Sequence, residues 1–162
     1  MNPLRLNPEQ WTVLLLLGRD PLLNLPELRR RSSATDEDLL DLSDLGYIVH
    51  DIGRGKPLDR EGLRLLSTWY IRITPDGRVA NKLLDPFRRV IVHLAYNTSG
   101  LPAAKCASDA VASMDDLNAL SAAGLIAAHH PSHREPMPLA ALPSHLRATA
   151  QVTLTSRGRS YR

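Results

Sequence analysis

The side chains best equipped for chemistry in this 162-residue sequence are its arginines. Seventeen arginines stand against three lysines, and a guanidinium is planar, permanently charged and suited to forked hydrogen bonds with phosphate or carboxylate. Two groups are dense: Arg29-Arg30-Arg31, and Gly53-Arg54-Gly55-Lys56 with Arg60 and Arg64 soon after. Arg134, Arg147 and Arg157 are spread through the second half. Arginines at a helix end can hold phosphates, and a glycine-flanked arginine at the tip of a turn can enter a narrow groove of enhanced negative potential. Acids gather in one place, with Asp36, Glu37, Asp38, Asp41 and Asp44 falling within nine residues.

Other chemistries find less support. His129, His130, His133 and His145 are close in sequence, but Pro131, Pro136 and Pro138 break any helical ligand pair, and no Cys/His spacing matches a zinc site. Neither metal nor cofactor is expected. Cys106 is the one cysteine; it cannot close an internal disulfide and is expected to be a buried thiol. No nucleophile paired with a base, no phosphate-cradling glycine loop and no acid pair stands in a recognisable setting, so catalysis is not expected. The longest apolar run, 13–17, is far short of the roughly 20 residues that cross a bilayer, and no basic start with a cleavage site opens the sequence. A cytoplasmic protein without membrane contact is expected.

The elements that must position these residues come in two copies. Sliding the sequence against itself by 78 positions aligns Asn7-Pro8 with Asp85-Pro86 and runs ungapped to Ile48 on Ile126. Ten of the aligned positions are identical, among them Asp38/Asp116, Leu39/Leu117, Leu42/Leu120, Ser43/Ser121 and Gly46/Gly124. Each copy opens with a capping side chain and a proline at the first helical position. Apolar stripes follow at helical spacing, Trp11, Val13, Leu14 and Leu17 in one copy and Phe87, Val90, Ile91 and Leu94 in the other. A short second helix is predicted at 25–31 and at 102–108. A third follows, capped by Thr35 or Ser113, with Leu39, Leu42 and Leu45, or Leu117, Leu120 and Ala123, inward. Gly46 and Gly124 end it in the left-handed conformation. Strands are predicted at 47–49 and 69–74 and again at 125–127 and 151–155, each pair joined by a long loop and followed by a turn ending in Gly-Arg.

Helix, helix-turn-helix, hairpin is the order of a winged helix. Leu45-Gly46-Tyr47-Ile48 and Ala123-Gly124-Leu125-Ile126, followed by Ile73-Thr74-Pro75-Asp76-Gly77-Arg78 and Leu154-Thr155-Ser156-Arg157-Gly158-Arg159, resemble winged-helix transcription regulators of the MarR and related types. The resemblance extends over nearly the whole chain, once per half. It implies an α+β, mainly α fold of two tandem winged helix-turn-helix domains, 1–85 and 86–162, each of three helices plus a β-hairpin wing. The tandem pair is expected to act as a dimer within one chain. The function the resemblance implies is DNA binding in transcription regulation, with duplex DNA as partner. Candidate contacts are Arg29, Arg30, Arg31, Arg54, Lys56, Arg134, Arg147 and Arg157.

Charge points elsewhere. In a DNA-reading winged helix the third helix lies in the major groove, yet neither third helix here contains Arg or Lys. Acids in a first helical turn complement the helix dipole, which accounts for Asp36 to Asp38 but not for Asp41 and Asp44. Residues 1–85 carry 12 basic and 13 acidic side chains, whereas 86–162 carry 8 and 4. The alternative is a non-enzymatic protein-interaction scaffold that presents Asp36, Glu37, Leu40, Asp41 and Asp44 to a basic partner.

Overall fold

Asn7 and Pro8 start the first helix in the way their side chains favour. The Asn7 side chain accepts from the Gln10 backbone amide at 2.8 Å, and the Gln10 side-chain Oε1 accepts from the Asn7 backbone amide at 3.0 Å. This reciprocal cap satisfies two donors that a helix start leaves unpaired. The helix, α1 (Pro8–Arg19), buries Trp11, Val13, Leu14, Leu16 and Leu17. The computed structural model describes residues 2–65 and 69–162. It is mixed α and β, mainly helical, and divides into two compact units, Pro3–Leu83 and Leu84–Arg162.

In the first unit α1 is followed by β1 (Leu22–Asn24), α2 (Leu25–Ser32), α3 (Asp36–Asp44), β2 (Ile48–His50), α4 (Arg60–Leu65) and β3 (Tyr70–Ile73). The strands form an antiparallel sheet in the order β1-β3-β2, with Leu23 opposite Ile71 and Ile48 opposite Ile73. Those four side chains point inward and are buried, as the two-residue strand period requires. Helix α5 (Pro75–Tyr96) carries the chain into the second unit. There follow β4 (Leu101–Pro102), α6 (Ala103–Asp109), α7 (Met114–Ala122), β5 (Ile126–His129), α8 (Ser144–Arg147), β6 (Gln151–Leu154) and α9 (Ser156–Arg159). Its sheet has the matching order β4-β6-β5.

Several expectations need correcting. Asp85 does not cap a helix at Pro86: α5 runs through Pro86 without a break. An internal proline removes one backbone bond and crowds the preceding turn, at a cost of about 3 kcal/mol. Ala80, Leu84, Phe87, Ile91 and Leu94 are all buried and recur at helical spacing across Pro86, so continuing the helix keeps one apolar stripe out of water and offsets that cost. The predicted Gly-Arg turns are the first turns of α5 and α9. Each sheet has a third strand, β1 or β4, absent from a simple hairpin, and each long loop carries helix, α4 in one and a 3-10 turn at Leu139–Ala141 plus α8 in the other. Leu45 is 52% exposed, so the inner face of α3 is Leu39, Leu42 and Ser43.

The identities between the copies have specific tasks. Asp38 and Asp116 complete capping boxes with Thr35 and Ser113. The buried hydroxyls of Ser43 and Ser121 each accept, at 2.8 Å, the amide of a buried leucine in the following loop, Leu58 or Leu139. Gly46 and Gly124 adopt φ of +76° and +73°, where a side chain would be strained. Just beyond, the Thr74 hydroxyl lies 2.5 Å from the Gly46 carbonyl oxygen and accepts from the Gly77 amide at 3.0 Å. Thr155 does the same with Gly124 at 2.7 Å and Gly158 at 3.0 Å. A Cβ on Gly77 would stand 2.1 Å from the Tyr47 carbonyl oxygen, and one on Gly158 1.9 Å from that of Leu125.

Gly77→Ala and Gly158→Ala should each destabilise the unit that holds them by about 1–3 kcal/mol, the range for overpacked sites, read as a lower urea midpoint. Val111 is a β-branched residue at φ +51° and is 75% exposed, a strained conformation that asparagine tolerates. Val111→Asn should raise the midpoint by the equivalent of about 1 kcal/mol.

Candidate functional site

Three helices of the first unit meet at Arg29. From α2 its Nη2 pairs with the Asp36 carboxylate at the start of α3 and donates to the Leu63 carbonyl of α4 at 3.1 Å. Arg60 of α4 returns to Glu37 of α3 at 2.5 Å. Acids at the head of α3 thus hold the loop helix α4 in place. Two carboxylates of the first turn of α3, Asp36 and Glu37, meet the chain's own guanidinium groups. Asp38 is buried as well; burial acts to raise its pKa, but hydrogen bonds from the Asn7 side chain at 2.6 Å and from Thr35 outweigh it and hold the carboxyl below the usual range. Asp41 accepts weakly from Gln10 Nε2 at 3.5 Å and is exposed, like Asp44, while Leu40 is half-buried.

The remaining arginines of α2 are also matched to acid. Arg30 makes two bonds to Glu27, at 2.8 and 3.2 Å, and Arg31 stands 3.8 Å from the same carboxylate. The Arg30 hydrogen bond holds the Glu27 carboxyl below its ordinary value. Solvent screens such exposed pairs, so the significance lies in charge: Arg29, Arg30 and Arg31 sit beside Glu27 and Asp36 and do not form an uninterrupted positive patch.

Arg54 and Lys56 lie on a tight turn closed by a bridge between His50 and Lys56. Both are exposed, and among the described residues neither has an ion-pair partner. Neighbouring Arg72 pairs with Asp51 at 2.9 Å and donates to the Arg54 carbonyl at 3.1 Å, which fixes the turn against β3.

In the second unit Arg147 donates to the Leu142 and Ala140 carbonyls, both at 2.9 Å, and shapes its own loop. Arg157 donates to the Ala123 carbonyl at the end of α7 at 3.1 Å, a favourable place for a cation. Arg134 stays exposed without an ion-pair partner among the described residues. The exposed positions of α7, such as Asp115 and Ala122, bear no cation.

His130 and His133 stand edge to face, with the Ser132 hydroxyl between them, and His129 meets Thr153 at 2.9 Å. Among the described residues no three His, Cys, Asp or Glu side chains gather as metal ligands. Cys106 is fully buried, and burial together with Asp109 pushes its thiol up to about 11, so it is a poor thiolate at neutral pH. Among the described residues no helix is long and apolar enough to cross a membrane.

Glu27 was the residue sequence reasoning passed over. Its place three and four residues before Arg30 and Arg31 signals a helical ion pair, visible once α2 is drawn as a helix.

No family model, curated protein or solved structure matches the chain.

One titration follows from the loop's core. The buried His50 ring stacks on Trp69 at 3.8 Å, and burial lowers its pKa from 6.5 despite Asp51 and Asp59 acting the other way. A histidine whose folded pKa is depressed binds fewer protons folded than unfolded, so stability is kept above about pH 6.5 and lost as pH falls toward the folded value. The thermal midpoint should therefore drop between pH 7 and pH 5, and His50→Phe, which keeps the stack without the titration, should flatten that drop.

Proposed function

We propose that the chain is a non-enzymatic binding module made of two winged helix-turn-helix units, and that its partner is a protein. The winged-helix reading is supported by the element order in each unit: a helix, a short strand, a helix-turn-helix, then two further strands of the same antiparallel sheet joined by a long loop. The observation that carries the choice of partner is electrostatic. Neither α3 nor α7 contains a cation, and the three arginines of α2 stand against Glu27 and Asp36. Carboxylates beside a phosphate backbone forfeit counterion-release affinity and add repulsion. On α3, Asp41 and Asp44 share an exposed face next to Leu45, a mixture of acid and aliphatic surface that suits a basic protein segment.

A second reading has its own observation. Arg54, Lys56 and Arg134 are exposed at loop tips without ion-pair partners among the described residues, and such cations can enter a minor groove of duplex DNA.

Two measurements separate the readings. Anisotropy titration of a labelled mixed-sequence duplex at low salt should give no affinity tighter than the roughly micromolar limit of non-specific binding. Quantitative affinity capture after nuclease treatment should recover a protein that Asp41→Arg/Asp44→Arg loses at least tenfold. Nanomolar duplex binding that falls steeply with salt and disappears in Arg54→Glu/Lys56→Glu would overturn the protein reading in favour of DNA.

A further inference from the structure

The repeat supplies an internal control for exposed charge. On α3 of the first unit Asp41, Asp44 and Leu45 are exposed, and among the described residues neither carboxylate has an ion-pair partner. In the ungapped register of 78 positions they match Ala119, Ala122 and Ala123 of the second unit. Ala122 is exposed as Asp44 is, so the shared frame accepts a methyl group where the first unit carries acid. The loop after the edge strand differs in the same way. His50 bridges to Lys56, and at the matching position Ala128 bridges to Met137. The short segment 51–55 turns at Gly53, with φ +58°, and presents Ile52, 48% exposed, next to Arg54 and Lys56. The longer segment 129–136 carries one arginine, Arg134, with Glu135 beside it. An acidic helix face and a basic loop tip, each without ion-pair partners among the described residues, therefore occur together in one unit. Neither is present in its twin.

We infer that the first unit pairs with a second copy of this chain through a reciprocal contact, in which Asp41, Asp44 and Leu45 of one copy meet Ile52, Arg54 and Lys56 of the other. Under a two-fold axis the same contact forms twice, since a self-complementary surface brings each patch to its opposite. Charge is complementary in both contacts, and each patch carries one exposed aliphatic side chain. The patches lie within the compact unit Pro3–Leu83, so one folded body sets their spacing. The inference rests on the reading of α3 as a protein-docking face and names the occupant of that face. A single exposed ion pair contributes little, so the pairing depends on the doubled contact and weakens with salt.

Sedimentation velocity of the full chain tests this. A monomer–dimer equilibrium is expected at low salt, shifted toward monomer as salt is added. Asp41→Arg/Asp44→Arg gives a chain with two basic patches, and Arg54→Glu/Lys56→Glu gives one with two acidic patches. Each variant alone should dimerise at least roughly tenfold more weakly, with unchanged far-UV circular dichroism as the check on folding. Mixed in equal amounts, the two should form a one-to-one pair, because every patch then meets its opposite. A wild-type chain that stays monomeric at low salt, variants that dimerise like the wild type, or a mixture of folded variants that stays monomeric would each overturn the pairing. If the chain is monomeric and Asp41→Arg/Asp44→Arg still abolishes capture of a different protein, the self-pairing falls and the protein reading stands. Loss of the pairing together with nanomolar duplex binding would overturn both.

Discussion

The close approach of a glycine to a carbonyl is the constraint on which each unit is built. Gly77 sits under the Tyr47 carbonyl and Gly158 under that of Leu125. The threonine three residues earlier reaches the carbonyl of the glycine that ends the third helix. One joint thereby fixes the end of a helix, the central strand of a sheet and the start of the next helix. Any side chain on the glycine would pry these apart, and loss of the hydroxyl would leave a helix-terminal carbonyl and a helix-initial amide without their partner. The buried serine of the third helix adds a second tie, holding the loop that joins the edge strand, β2 or β5, to the central one through a leucine amide.

Around that shared frame the copies have diverged in charge. In the first unit acids at the head of α3 and in α2 are matched to Arg29, Arg30, Arg31 and Arg60, and the pairing docks α4. Its acidity is largely a folding device, leaving Asp41 and Asp44 outward. In the second unit arginines cap carbonyls instead: Arg89 holds the Ala110 and Val111 carbonyls at 2.8 Å, and Arg157 the end of α7. A cation bonded to a helix end or to a neighbouring carboxylate is already satisfied, and moving it onto a phosphate would forfeit those bonds. Several of the arginines therefore secure loops and helix ends.

Much of the fold was legible because its signals are local. Asn7, Thr35 and Ser113 as caps, Gly46 and Gly124 as terminators, and the alternation around Ile71 and Val152 each act within a few residues, and the repeat tied them into one register. What escaped was tertiary. Asp85-Pro86 carries the same local signature as Asn7-Pro8, yet the stripe from Ala80 to Leu94 overrode it, because apolar burial over several turns outweighs one cap. The two-residue strand Leu101–Pro102 is too short to leave a period. The Gly-Arg segments resemble turns until the carbonyl above each glycine is known. Among candidate site residues, exposure of Arg54, Lys56 and Arg134 was readable from flanking glycines and polar loop context. The partners of Arg29 and Arg60 were not, since Asp36 and Glu37 reach them only when α2, α3 and α4 are packed.

Native-state hydrogen exchange at two amides bears most directly on the claim that one structural unit occurs twice with the same joint. The Gly77 and Gly158 amides, each bonded to a threonine hydroxyl at 3.0 Å in a buried position, should rank among the slowest in their respective units and exchange only when that unit unfolds. Exchange of either one at the rate of an exposed loop amide such as that of Gly53 would contradict the account.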